Sequence, residues 1–355
     1  MVSVGVEPGF DFGSSEYEAL FAESDATAFQ HPVWLAELYR SLGPSKGAEA
    51  LVVTVREDRR LALVLPLMRR RRNGLRVVEF ADLGVSDYAA AICRRGDFDR
   101  IAAADLGGRL RQAIRPFDMM RIMRQRADGP DLAALLNGAS RRSSDDHAHA
   151  VAIEPPFAEW RARSIDASAV RELDRKRRKL GRKGDVRLER AAPDRIPAVF
   201  AASRAFRTSR LEGRGLQDVL SDPATLAFYV AVAQAGAASG FATTYELTLD
   251  GEIVGTLFGL NHRGRFLVLV TSFDGGFKTL SLGKLLFEDV IADRIAAGDT
   301  VFDLTTGDEG YKQQFGTTPT DLDNVVARGS LLGRAADAIL STDQGTRLVK
   351  ALIGV

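Results

Sequence analysis

Between residues 281 and 312 the chain gathers side chains and backbone turns able to hold an anion and move a proton. Ser281-Leu282-Gly283-Lys284 opens a helical stretch directly after a strand and a loop. The first turn of a helix leaves backbone N–H groups unpaired and carries partial positive charge, which suits a phosphate. Gly283 removes a side chain where a ligand would approach; the plainer reading is a serine-capped helix with a glycine at its start. Asp303, Asp308 and Glu309 lie in or just after a short β-rich stretch, where a carboxylate can take a proton from an amine, directly or through water. Asp303 falls inside that strand, where burial without a purpose costs most, and the alternative role is a structural acceptor for the next loop. Asp308 and Glu309 read as turn residues, with Glu309 the better functional candidate. Lys312 can pair with a phosphate or a developing oxyanion, or be a surface charge; Tyr311 beside it is a proton donor or a packed aromatic. His262 titrates near neutral pH and is either a base or a solvated residue beside a turn.

The elements that would position these groups are written twice. In the second half, strands are expected over Thr243–Leu249, Glu252–Leu260 and Arg265–Val270, joined by Asp250-Gly251 and Arg263-Gly264. Asp-Gly tolerates the positive φ angles of a tight hairpin turn. A helix over Leu282–Ala297, with Leu282, Leu286 and Val290 on one face, and a strand over Thr300–Leu304 complete the order. In the first half, Ala50–Arg56, Leu61–Met68 and Leu75–Leu83 form the same meander around Glu57-Asp58-Arg59 and Asn73-Gly74, followed by a helix over Phe98–Ile114 and a strand over Phe117–Met123. The three strand starts are offset by 193, 191 and 190 residues (50 to 243, 61 to 252, 75 to 265), which points to a duplicated domain. Gly138–Ala150 reads as an exposed polar loop between the copies. Helices are expected over Val170–Lys183, which is densely basic, over Ile196–Arg207 and over Pro223–Ala235. The fold class is α/β (α+β), with each copy a mixed, mostly antiparallel sheet flanked by helices. The boundaries expected are 1–150, 151–330 and an amphipathic helical tail, 331–355.

Bulk composition narrows the partners. The 355 residues carry 48 Lys+Arg against 47 Asp+Glu, a balance unlike that of a general nucleic-acid binder, so no nucleic acid is expected. One cysteine, Cys93, allows no internal disulfide, and the four histidines lack zinc-ligand spacing, so no metal is expected. The N-terminus lacks a charged segment followed by an apolar one, and no run of about 18 apolar residues occurs. The setting expected is cytoplasmic, with peripheral contact at the inner face of a membrane left open by the apolar stripe Leu331, Leu332, Ala335, Ala336, Ile339 and Leu340, repeated by Leu348, Val349, Leu352 and Ile353. The basic helix has the solvated-face reading or captures an anionic partner.

From about Arg171 to Gly316 the chain resembles the CelD-like acetyltransferase family of the GNAT superfamily, related to the Fem transferases. The pieces that carry the resemblance are Arg177-Arg178-Lys179-Leu180, Phe273-Asp274, Ser281-Leu282-Gly283, Val301-Phe302-Asp303, Gly307-Asp308-Glu309-Gly310-Tyr311-Lys312 and the run to Phe315-Gly316. His31-Pro32-Val33-Trp34-Leu35 and Asp87-Tyr88 look like the family's first domain. The resemblance implies tandem GNAT domains and transfer of an acyl group from a thioester to an amine. No cofactor would be bound permanently, and acyl-CoA or an acyl carrier protein would be the co-substrate. It implies Tyr311 as general acid, Ser281–Lys284 on the donor, and Asp274, Arg178, Asp87 and Tyr88 on the substrate. The turn Lys278–Lys284 has one glycine where the usual GNAT phosphate loop has two, which fits a donor seated differently or a longer acyl thioester. Bacterial ceramide synthases look like members of this general branch, so the implied acceptor is a lipid or cell-envelope precursor, including a sphingoid base. The alternatives are acetylation in exopolysaccharide or cellulose synthesis, a Fem-like aminoacyl-tRNA dependent transferase, and a non-catalytic binding member of a polysaccharide-export assembly. The first domain, lacking a Ser-Leu-Gly-Lys counterpart, is expected to be a scaffold closing one wall of the cleft.

Overall fold

The computed structural model describes residues 2–104, 106–211 and 218–340. Along the chain the strands are β1 (Val2–Val6), β2 (Glu49–Glu57), β3 (Arg60–Arg72), β4 (Leu75–Phe80), β5 (Ile92–Cys93), β6 (Met119–Arg126), β7 (Ala139–Ala152), β8 (Val186–Arg190), β9 (Ala242–Leu249), β10 (Glu252–His262), β11 (Arg265–Phe273), β12 (Val301–Thr306) and β13 (Thr318–Arg328). The chain divides into two compact units, one from residues 1–145 and from 321 onward, the other from 146–320. The cut expected near residue 150 falls inside β7.

Four tight turns set the meanders. Asp58/Arg59, Asn73/Gly74, Asp250/Gly251 and Arg263/Gly264 all have positive φ at both central positions. That is the type I′ geometry whose twist matches antiparallel strands. In the first unit the strands run β1-β2-β3-β4-β6-β13, with β5 beside β3. β4 and β6 are parallel and the other pairs antiparallel. In the second unit the order is β7-β12-β11-β10-β9-β8, with β11 and β12 parallel. The parallel pair of the second unit is connected by helix Leu282–Ala296. The corresponding connection in the first unit is broken into Phe98–Ala103 and Gly107–Ala113, where one helix was expected. At Gly107, the first residue of the second piece, the chain passes close to Asn137: a Cβ there would lie 2.3 Å from the Asn137 side chain.

The sheets differ from the expectation in how they are completed. Residues 138–150, expected as a loop, form most of β7, whose Ala148 and Ala150–Ala152 pair with β12. β13 in turn pairs with β6. Each unit is thus closed by a strand from the other copy's sequence. β7 conceals itself because it has almost no apolar alternation before Ala148; its ladder and the ion pairs Arg141–Asp323 and Arg142–Asp337 hold it instead.

Each unit has its own core. In the second, Leu282, Leu286 and Val290 pack with Leu257, Phe266 and Phe302; full burial of such a side chain contributes about 1.5–3 kcal/mol. In the first, Val53, Leu63, Leu65, Phe80 and Ile122 lie in one cluster. Helix Leu331–Leu340 belongs to the first unit, with Leu331, Leu332 and Ile339 exposed; Leu348, Val349, Leu352 and Ile353 lie outside the described residues. Among the described residues no helix is long and apolar enough to cross a membrane.

Candidate active site

The second unit opens where β11 and β12 part. They pair only through Arg265–Leu267 and Val301–Asp303. Beyond that point the link is a side chain: Thr305, held at φ 56°, donates its hydroxyl to the Val268 carbonyl at 3.1 Å. Past Val268, β11 has no described ladder partner on that side, so its edge can receive a ligand carrying amide groups.

Asp303 builds the parting rather than facing it. It is fully buried; one oxygen accepts from Arg265 at 2.9 Å and the other from the Thr305 backbone at 2.8 Å. The expected proton-acceptor role therefore gives way to the structural one: this carboxylate fixes the left-handed turn at Thr305. Lys312 is corrected in the same way. It is 2% exposed, and its ammonium donates to the carbonyls of Thr306 (2.7 Å), Gly307 (2.9 Å) and Thr305 (3.5 Å) while pairing with Glu309 at 3.0 Å. Its donors are committed to the loop, leaving none aimed at a phosphate or an oxyanion.

Glu309 and Tyr311 are the groups this loop presents. The Glu309 carboxylate is 58% exposed and folds against Gly307, where a Cβ would meet it at 2.7 Å. Gly307 has φ 108°, a conformation glycine accepts readily. The Tyr311 ring stacks on Phe287 at 5.7 Å. Burial, with Glu309 adding to it, pushes the Tyr311 phenol up to about 12 against the pull of Arg210 and Arg207. The phenol is therefore a proton donor at neutral pH. Arg207 is anchored by Asp218 and by the Thr271 carbonyl of β11 at 3.3 Å. The end of helix Ile196–Leu211 thus brings two guanidinium groups toward Tyr311, a contribution the sequence signals only as arginines three apart.

The second element is the start of helix Leu282–Ala296. Ser281 has φ 52° and makes no side-chain cap; its hydroxyl instead accepts from Lys176 at 2.6 Å. Lys176 also pairs with Glu172 at 2.6 Å, and both line a shallow cleft with Lys284, Gln314 and Phe315. Lys176, on helix Ala167–Gly181, was not singled out by the sequence within its basic run. The Arg161 and Arg177 pairs with buried Glu288, at 2.5 and 3.2 Å, fasten this neighbourhood together. Leu282 is fully buried, so only its backbone is offered. Gly283 is small because the Phe273 ring lies against it, 2.8 Å from an added Cβ, and not to admit a ligand.

Other expected site residues lie elsewhere or are engaged. His262 closes β10 beside Arg265, at the start of β11. The helix opening follows the far end of that strand, about 26 Å away at 3.3 Å per residue, so His262 is no base for this site. Asp274 caps the turn Gly275–Leu280, accepting from Gly276 at 2.8 Å. Arg178 is exposed on helix Ala167–Gly181. In the first unit, Asp87 meets Arg124 at 3.3 Å. Tyr88 is 2% exposed, edge-on to Phe29, with its carbonyl bound by Gln30 at 3.0 Å, an anchoring role in place of a substrate contact.

Asp308 has partners the sequence spacing hid. His149 Nε2 meets it at 2.8 Å and His147 Nδ1 at 3.1 Å, and His149 Nδ1 lies 3.4 Å from the Thr317 hydroxyl. The hydrogen bonds from His149 and then His147 hold the Asp308 carboxyl below its usual range. Among the described residues no group could hold a metal ion.

Residues 167–313 match the family model described as "Acetyltransferase (GNAT) domain". No curated protein matches the chain. Among solved structures, FemX superposes with a TM-score of 0.64 at 11% identity, covering 91% of this chain and 97% of its own. L-PGS from Bacillus licheniformis gives 0.56 at 14% identity, covering 98% of each chain. A tandem GNAT protein from the clavulanic acid biosynthesis pathway gives 0.51 at 15%, covering 93% and 99%. These likenesses show that the chain shares the fold of these proteins, and the segment that matches the acetyltransferase (GNAT) domain model lies within the second unit.

Proposed function

We propose that the second unit transfers an acyl group from a phosphopantetheine thioester to the amine of a lipid or cell-envelope precursor, a sphingoid base being the long-chain case. The observation that carries this reading is the pairing of two features in one unit. The start of helix Leu282–Ala296, with Lys176 and Lys284, suits a phosphate; the phenol of Tyr311, kept protonated, stands on the loop after the strands part. The pantetheine arm would run along the open edge of β11, where its amides replace the missing ladder partner.

The amine nitrogen attacks the thioester carbonyl, forming the C–N bond. Glu309, the exposed carboxylate of the loop, takes the amine's proton directly or through water. As the C–S bond breaks, the sulfur leaves with the electron pair and receives a proton from Tyr311. Arg207 and Arg210 then stabilise the phenolate until it is reprotonated. The acceptor class rests on the sequence resemblance, and no permanent cofactor is required. The test is thiol release and melting temperature with acetyl-CoA, palmitoyl-CoA, free CoA and acyl carrier protein. A bound donor raises the melting temperature; a protein whose melting point and thiol release respond to none of these sinks the proposal.

A further inference from the structure

We infer that the outer face of helix Ala167–Gly181 docks an acidic carrier protein that delivers the acyl group as a phosphopantetheine thioester. This rests on the thioester reading of the previous section and names its donor. The helix has two faces with different fates. On its inner side Leu173 and Leu180 are buried, Lys176 reaches Ser281, and Arg177 pairs with Glu288 and Asp289. On its outer side Arg171, Arg175 and Arg178, with Arg182 at the helix end, recur at spacings of four, three and four. At 100° per residue they fall within a stripe about 60° wide, opposite the buried leucines. All four are exposed, as are Lys179 and Lys183 alongside, and none of the six forms an ion pair among the described residues.

Like charges four residues apart weaken a helix. A chain with near equal numbers of acidic and basic residues has concentrated them here with no carboxylate opposite. The row is about 16 Å long, eleven steps of about 1.5 Å. The nucleotide of free CoA would occupy one or two of these arginines. A helix bearing Asp or Glu at the same period would meet the whole row, each guanidinium fork matching a carboxylate. A membrane surface is the poorer fit, because among the described residues the exposed large hydrophobic side chains are Leu331, Leu332 and Ile339, and none of them is on this helix to anchor the row in lipid. Location completes the argument. Lys176, on the inner side of the same helix, touches the helix opening proposed to hold the donor phosphate. A carrier resting on the outer face would have its phosphate-linked arm attached about one helix width, 10–12 Å, from that opening.

The test is fluorescence anisotropy of a dye-labelled acyl carrier protein in its apo form, which has no arm, against the full chain. Binding is expected at about 50 mM NaCl and should weaken about tenfold by 250 mM. The Arg171→Glu/Arg175→Glu/Arg182→Glu variant, checked for an unchanged melting temperature, should lose about tenfold or more in affinity. The matching Arg→Lys variant should lose less, since it keeps the charge. No binding by the wild-type chain at low salt, or equal binding by the charge-reversed one, overturns the inference. So does retention on phosphatidylglycerol-containing vesicles that the reversal abolishes while the carrier fails to bind. Binding needs no turnover, so a chain that holds the carrier but transfers nothing keeps this inference and sinks the transferase reading. Turnover of acyl-CoA without carrier binding does the reverse.

Discussion

Replacing Lys312 by methionine, a near match in length without the charge, removes its hold on the loop carbonyls together with its ion pair to Glu309. The ammonium makes two short hydrogen bonds, to Thr306 and Gly307, and a longer one to Thr305, from a side chain that is 2% exposed. A hydrogen bond to a charged group contributes about 1.5–3 kcal/mol, and a carbonyl left unpaired in the interior costs about 1–3 kcal/mol. Loop residues can regain some water, so the expected loss for the two short bonds is about 3–4 kcal/mol. For a unit of this size each kcal/mol lowers the melting temperature by about 2–4 °C, giving a drop of roughly 6–16 °C. Differential scanning calorimetry on the full chain reads it. Turnover should fall with it, because Glu309 and Tyr311 sit on the loop that is released, while KM for the donor should change little, because the phosphate is held at the other element. A melting temperature within about 2 °C of wild type, with turnover down a hundredfold or more, would refute the reasoning and return Lys312 to the reacting atoms.

Tyr311→Phe should lower kcat by about 10–100-fold, near the low end for a general acid, because a thiol of pKa about 8.5 leaves without much help. With the phenol raised to about 12, kcat should show no fall from this group between pH 7 and 10; a limb centred near 10 would contradict its burial. Its folded value lies above the ordinary 10.0, so the stability it contributes is complete below pH 10 and lost as pH rises toward 12, which alkaline melting curves can follow. Lys176→Ala, which removes the contact with Ser281, should raise KM for the donor about tenfold with kcat nearly unchanged, and an equal fall in kcat would place it in the chemistry. In the first unit, Asp118 accepts from Arg76 at three positions and from Ser330; these contacts, the Arg76 side chain first, hold its carboxyl far below the ordinary 3.8. Its contribution is present above pH 3.8 and lost as pH falls further, and Asp118→Ala should cost about 2–4 kcal/mol in urea unfolding at pH 7.

Much of this fold is legible because its signals are local. A hairpin turn needs two residues with positive φ, and Asp250-Gly251 and Asn73-Gly74 announce it without reference to the rest of the chain. The helix after β11 shows its buried face as a period of leucines and valine. The site is less legible because its residues were judged by type, and type does not say where a proton points. Lys312 reads as an anion ligand until the three carbonyls around it are seen, and Asp303 reads as a base until Arg265 and Thr305 claim both oxygens.

The histidines show the same limit at longer range. His147 and His149 sit in a polar run that looks like a linker, and each lies some 160 positions from Asp308 in sequence. They meet it because β7, which follows β6 along the chain, pairs with β12 instead, a choice written in backbone hydrogen bonds and not in side-chain pattern. The bulge between Asp303 and Thr306 in that pairing, and the bond from the Gly307 amide to the His147 carbonyl, set the height of the loop that carries Glu309 and Tyr311. The exchanged strand therefore has a functional consequence: the loop is held by Lys312 from within and by β7 from the side. His149→Gln and His147→Gln, which remove the contacts to Asp308 but leave the ladder, should weaken turnover less than any change that displaces β7 itself. A single His147→Gln change that abolished turnover while leaving the melting temperature intact would show that the imidazole, and not the strand, does the work.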